Sequence, residues 1–202
     1  MEKLIVSSSP HIRSGASTQR IMLDVIIALC PALIASFVFF GPRALILVAV
    51  TVLSCVLSEY ISRKVMKRDN TVPDLSCIVT GLLLAFNLPV SLNPLMAVFG
   101  GVVAIVVVKQ MFGGIGQNFV NPALTARIIL MNSFPAKMTA WTAPMDHSFS
   151  DAMTTATPLG VLSEGTGAAL PSYLDMFLGN TGGCLGETCA LALILGGIYL
   201  VA

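Results

Sequence analysis

Thr157 stands directly before Pro158, and Asp151, Thr154 and Ala156 lead into it. A threonine ahead of a proline is a good pair for the N-cap and first position of a helix, so its hydroxyl should sit where partial positive charge gathers. A phosphate placed there would meet free backbone N–H groups, although the same residues equally make an ordinary capped helix. Arg127 lies inside the apolar run Ala123 to Met131. A guanidinium in lipid is costly, so it should pair with an acid, reach a polar head, or hold a ligand's phosphate or carbonyl. Asn121-Pro122 frees a backbone carbonyl and opens a helix N-terminus at membrane depth, a device for anion and ion sites. Just before it, Phe112-Gly113-Gly114-Ile115-Gly116 permits positive φ and close backbone approach. That suits either a ligand turn beside Asn118 and Asn121 or a plain break between helices.

The remaining charged groups have simpler readings. Asp24 and Glu59 fall near helix ends, where a wet location explains them. Lys109 ends an apolar run, from which it can snorkel to the interface. Glu187 is expected in the first turn of the last helix, serving a site or compensating the dipole. His11 and His147 read as solvated, and Trp141 and Tyr173 as interfacial anchors.

These residues must be positioned by membrane helices. Of 202 residues, 55% are hydrophobic and 10% charged, where a soluble domain is about a quarter charged. The net charge of +1 gives no bulk pull toward nucleic acid, which excludes that class of partner. The five cysteines, Cys30, Cys55, Cys77, Cys184 and Cys189, lack zinc spacing and any CxxC, and read as small packing residues. Only Cys184 and Cys189 are close enough in sequence to leave a metal or disulfide role open. Met1 to Arg20 is polar, without the apolar core of a cleavable signal, so insertion should use the first helix itself.

A membrane-crossing helix needs about 20 apolar residues. Ile21 to Phe40 and Ala44 to Ile61 meet this, joined by Gly41-Pro42-Arg43 as an antiparallel hairpin. Leu75 to Leu88 and Leu95 to Val108 are short, and imply either buried flanking turns or half-helices meeting in the bilayer. Phe119 to Phe134 is broken by Asn121-Pro122, and the Pro135 to Gly183 stretch is polar and loop-like. Lys3, Arg13 and Arg20 before the first helix and Arg63, Lys64, Lys67 and Arg68 after the second place both on the cytoplasmic side. Counting crossings from there puts Pro135 to Gly183 outside, unless the broken segment re-enters. The organisation is then a cytoplasmic segment 1–20, a transmembrane region 21–134, an extracytoplasmic loop region 135–183, and 184–202 as the start of a further helix in a truncated chain. The fold class is all-α, a polytopic transmembrane protein with short or broken helices.

Asp151-Ala-Met-Thr154-Thr-Ala156-Thr157 resembles the sequence at which a flavin transferase esterifies FMN to the last threonine, forming a phosphodiester; it departs at Thr155, where glycine is more usual. Ser9-Pro10-His11-Ile12-Arg13-Ser14, Ser17-Thr18 and Ile21-Met22-Leu23-Asp24-Val25 are similar to the N-terminus of D subunits of Rnf complexes. So are Gly81-Leu82-Leu83-Leu84-Ala85 with Leu88-Pro89, Phe112 to Asn118, Asn121-Pro122-Ala123, and Gly182 to Glu187, so that the likeness covers essentially the whole chain. The B subunit of the sodium-pumping NADH:quinone reductase is a related alternative, normally with a longer N-terminal extension.

The resemblance implies a flavin carrier within a complex that passes electrons between ferredoxin and NAD and couples them to Na+ or H+ movement. It implies covalent FMN on Thr157 within a recognition sequence of Asp151, Thr154 and Ala156. Arg127, Asn118, Asn121 and Gly114 would lie near flavins, which include a non-covalent one, riboflavin. Implied partners are the other Rnf subunits, among them a second covalent-FMN subunit and iron–sulfur subunits, with a flavin transferase for maturation. The implied location is the bacterial cytoplasmic (inner) membrane, in contact with lipid. A transporter or channel would also use broken helices and sparse charges, but has no need of a flavin attachment sequence.

Overall fold

The computed structural model describes residues 17–145, 155–164 and 170–201, and among them there is no β-strand. Helix α1, Thr18–Phe40, begins three residues before the apolar run because the Ser17 hydroxyl accepts the Arg20 N–H at 3.3 Å and caps it. It ends at Gly41, whose φ of 69° turns the chain directly into α2, Pro42–Val65. Arg63 and Lys64 in the last turn of α2 suit its negative dipole end. Both helices are long and apolar enough to cross a membrane, and Ile34, Leu53 and Leu57 are more than half exposed on their outer surfaces.

Helix α3, Ser76–Phe86, has 11 residues, an axial length of only ~16 Å against a ~30 Å hydrocarbon core. The following turn supplies the missing depth inside protein: Leu88, Pro89 and Leu92 are almost wholly buried. Buried turns, not half-helices, therefore extend the short run. Helix α4, Pro94–Val102, is capped by the Asn93 side chain and continues as a π-helical segment, Val103–Gln110. This wider winding closes with the Met111 N–H on the Val106 carbonyl, five residues back. Helix α5, Pro122–Ser133, starts at the expected break, where the Asn121 Oδ1 accepts the Ala123 and Leu124 N–H groups. The stretch read as loop carries three short helices, α6 (Pro135–Met138), α7 (Pro158–Glu164) and α8 (Tyr173–Leu178).

Helix α9, Ala190–Val201, starts later than the apolar run from Leu185, so Glu187 is not in its first turn. The reason is tertiary: the Leu185 N–H is taken by the Leu88 carbonyl at 3.2 Å and the Gly186 N–H by the Phe86 carbonyl at 2.9 Å. The Leu185 carbonyl, which a helix starting here would offer to the Cys189 N–H, accepts instead from the Ser36 hydroxyl.

Hydrogen bonds sort the connections into two ends. Where α1 meets α2, Phe39 accepts the Met145 N–H, Ser36 donates to the Leu185 carbonyl, Arg43 to the Ser91 carbonyl, and Ser91 to the Ala140 carbonyl. At the opposite end Arg63 donates to the Gly113 carbonyl and Thr71 to Glu59. The segments between α5 and α9 thus gather at the end remote from the basic loop that follows α2, while α9 runs back along α1 to Asp24.

Small residues bring the helices together. An added Cβ on Gly81 would lie 2.8 Å from the Val52 Cα on α2, and one on Gly101 would overlap the Ser54 hydroxyl. Gly81→Ala should therefore push α3 off α2 and cost about 1–3 kcal/mol, the usual range for overpacking. Thermal unfolding in detergent measures this, and an unshifted midpoint would overturn the close α2–α3 contact.

Candidate functional site

A cleft of about 280 Å³ opens at the end carrying α6 to α8, lined by Arg127, Trp141, Thr157, Pro158, Leu159, Met176, Thr181, Gly182, Gly183, Glu187 and Thr188. Its volume is near the lower end of ligand clefts, which run from ~300 Å³. Thr157 takes its place through local chemistry: its Oγ1 accepts the Gly160 N–H at 3.1 Å and its carbonyl accepts the Val161 N–H at 3.0 Å. The approach to it is fixed by the Thr155 N–H on the Trp141 carbonyl at 2.9 Å.

Arg127 reaches the cleft from α5. Its Nη1 donates to Asn87 Oδ1 at 2.6 Å and its Nη2 to the Cys184 sulfur at 3.5 Å. Neither partner is an acid, and among the described residues the only ion pair lies elsewhere, so Arg127 makes no ion pair, although Glu187 lines the same cleft. Burial, helped by the neighbouring Glu187, pushes the Cys184 thiol up to about 12 against the pull of Arg127, so this partner is a neutral thiol at physiological pH. Two hydroxyl oxygens here are buried without a hydrogen-bond partner, those of Thr155 and Thr188. Such orphans are what a bound polar group would satisfy.

Of the residues singled out from the sequence, Thr157 and Arg127 share this cleft, and Ala156 is exposed beside it. Asp151 and Thr154 lie outside the described residues, as do His11 and His147. Asn118 and Asn121 line a different pocket of about 170 Å³ with Ser76, Thr80 and Lys109. Gly114 lines neither; at φ 109° it lets the Arg63 guanidinium pack against its backbone, so its glycine is explained by that contact. All five cysteines are free thiols, and Cys55, Cys77 and Cys184 are buried as packing residues.

The structure corrects two expectations. Lys109 does not snorkel, and Glu59 is not wet: Nζ of Lys109 meets Oε2 of Glu59 at 2.6 Å, with side chains 4% and 0% exposed. Lys109 also donates to the Ser76 hydroxyl at 2.7 Å and Thr71 to Glu59 Oε1 at 2.6 Å. A buried charge survives only when paired and hydrogen-bonded, and these contacts do both. Asn87 and Thr188 join the site without having stood out in the sequence, and Trp141 serves it as a wall. Asn87 carried a faint signal, a polar residue at the end of an apolar run just before Leu88-Pro89.

Fold and cleft define a helical membrane protein with a polar-lined cleft at one end of its bundle, framed by a threonine-capped turn and an arginine outside any ion pair. The chain belongs to the NQR2, RnfD, RnfE family, whose sequence profile matches residues 5–202. It is 52% identical over 98% of its length to the D subunit of the Na(+)-translocating ferredoxin:NAD(+) oxidoreductase complex of Acetobacterium woodii, covering 62% of that protein. It is 41% identical over 97% of its length to the D subunit of the proton-translocating ferredoxin:NAD(+) oxidoreductase complex of Clostridium ljungdahlii, covering 61%. With the D subunit of the ion-translocating oxidoreductase complex of Escherichia coli the identity is 38% over 69% of the chain and 40% of the relative. The chain thus spans about three fifths of the length of the first two relatives.

Proposed function

We propose that this chain is a flavin-carrying D subunit of an ion-translocating ferredoxin:NAD oxidoreductase complex in the bacterial cytoplasmic membrane, with FMN esterified to Thr157. The observation that carries the reading is the shared cleft: Thr157, at the end of a flavin-attachment-like sequence, opens onto the same space as Arg127, which makes no ion pair. When bound, FMN accepts and passes on electrons. The chain's own part is placement. Thr157 tethers the phosphate, Pro158, Leu159 and Met176 give the cleft apolar walls, and Arg127 offers N–H groups to a phosphate or a flavin carbonyl.

In this reading the N-terminus is cytoplasmic, the chain crosses the membrane several times, and Thr157 is extracytoplasmic, away from the basic loop after α2. The coupling ion is Na+ or H+, as the two relatives' names differ on it. The partners are the other Rnf subunits, including a second covalent-FMN subunit and iron–sulfur subunits. Riboflavin is proposed at the second pocket, where the 170 Å³ volume would take one edge of the ring. There the Asn118 carbonyl and the Asn121 amide N–H groups are left over from local hydrogen bonds.

Coexpressed with its flavin transferase, the protein should show flavin fluorescence in a denaturing gel; a dark band would sink the assignment. Arg127→Ala should keep that band while slowing electron transfer through the assembled complex about tenfold, equivalent to ~1.4 kcal/mol of barrier. Arg127→Lys should recover part of the rate, and an unchanged rate in the alanine variant would refute the role.

A further inference from the structure

The same cleft contains two groups that attachment does not use. Thr188 is 4% exposed, lines the cleft, and its Oγ1 has no hydrogen-bond partner. Glu187, next to it, is exposed at the mouth. Both sit in the loop that is pinned to Phe86 and Leu88, so their backbone is fixed by α3 and not by a ligand. Of the two, only the Thr188 hydroxyl is unpartnered; the Glu187 carboxylate accepts from the Cys184 thiol and has further acceptor capacity at the exposed mouth, without pairing with Arg127. Instead Arg127 is held by Asn87 and Cys184.

Arg127, Glu187 and Thr188 line one cleft and offer it N–H donors, a carboxylate acceptor and an O–H donor. A ligand edge with two acceptors and one donor can use all three, and a cyclic imide, carbonyl, N–H, carbonyl, is such an edge. The pyrimidine end of an isoalloxazine presents that edge. We infer that Glu187 and Thr188, together with Arg127, recognise the imide edge of the flavin, Glu187 accepting from its N–H and Thr188 donating to one carbonyl. This rests on the flavin reading and deepens it. Tethering at Thr157 fixes only one end of a long flexible group, so a second, directional contact is what would set the ring's position.

The contacts also tune the electron equilibrium. A carboxylate beside the imide opposes the negative charge that arrives on reduction, and a hydroxyl donating to a carbonyl favours it. Replacing Glu187 by glutamine should therefore make the flavin easier to reduce, and replacing Thr188 by valine should make it harder. Valine is close to isosteric with threonine, and Glu187 is exposed, so both variants should fold.

The experiment uses the full chain coexpressed with flavin transferase, with covalent flavin read by in-gel fluorescence and the midpoint potential read by spectrophotometric titration of the folded protein. Expected is wild-type flavin content in Glu187→Gln and Thr188→Val, with reduction equilibria shifted about tenfold in opposite directions, or ~30 mV for a two-electron couple. Thr188→Ser, which keeps the hydroxyl, should return to the wild-type potential. Flavin-loaded variants with unchanged potentials would overturn the imide contacts while leaving the flavin reading intact. A wild-type protein without covalent flavin would overturn both.

Discussion

Thr157→Ala is expected to abolish covalent flavin completely, not to reduce it. A phosphodiester needs a hydroxyl oxygen, and alanine has none. The neighbouring Thr155 cannot substitute, because its Oγ1 is buried and its backbone is tied to Trp141. The substitution also removes the N-cap bond to Gly160, at a cost of about 1 kcal/mol to α7. That loss is confined to a seven-residue helix outside the apolar core, which is built from α1 to α6, the turn from Leu88 to Leu92 and the loop at Leu185. The variant should therefore reach the membrane and elute from a sizing column in detergent like the wild type, yet give a dark band in the denaturing gel. Thr157→Ser keeps both the oxygen and the cap and should remain fluorescent. Fluorescence persisting in the alanine variant would remove Thr157 from its role.

What the sequence revealed was local. The helix starts at Asn121 and Thr157 are each made by a cap acting within three residues, so the side chain responsible is written beside the backbone it serves. The membrane class was legible in the same way, from composition and the length of two apolar runs. What escaped was everything set by chain returning from a distance. Arg127 finds Asn87 40 residues earlier and Cys184 57 residues later, and no spacing rule connects the three. The start of α9 was misjudged because the chain at Leu185 and Gly186 is held against the end of α3 and the Leu185 carbonyl is taken by Ser36, while hydropathy alone favours helix from Leu185 onward. The glycine loop shows both sides. Its positive φ values at Gly113, Gly114 and Gly116 follow from composition, but that Gly114 serves Arg63 follows only from the fold.

Lys109 makes the same point with the largest energetic consequence. Lys109→Met is expected to destabilise the bundle by about 3–5 kcal/mol, because it leaves the Glu59 carboxylate buried with only the Thr71 hydroxyl to satisfy it. The lysine bridges three elements: it sits at the end of the π-helical segment, pairs with α2 and donates to Ser76 at the start of α3. Losing it should loosen the end of the bundle where these meet, and with it the pocket of Asn118 and Asn121 that Lys109 lines. Glu59→Gln should also destabilise, since it leaves the ammonium buried without a counter-charge. The double variant Glu59→Gln/Lys109→Met removes both charges at once and should recover most of the loss, because desolvating an ion pair offsets much of what its attraction contributes. Unfolding midpoints of the four proteins in one detergent close the cycle. A double variant no more stable than the sum of the two singles would show that the pair is not coupled, and singles as stable as the wild type would show that the charges are not buried together.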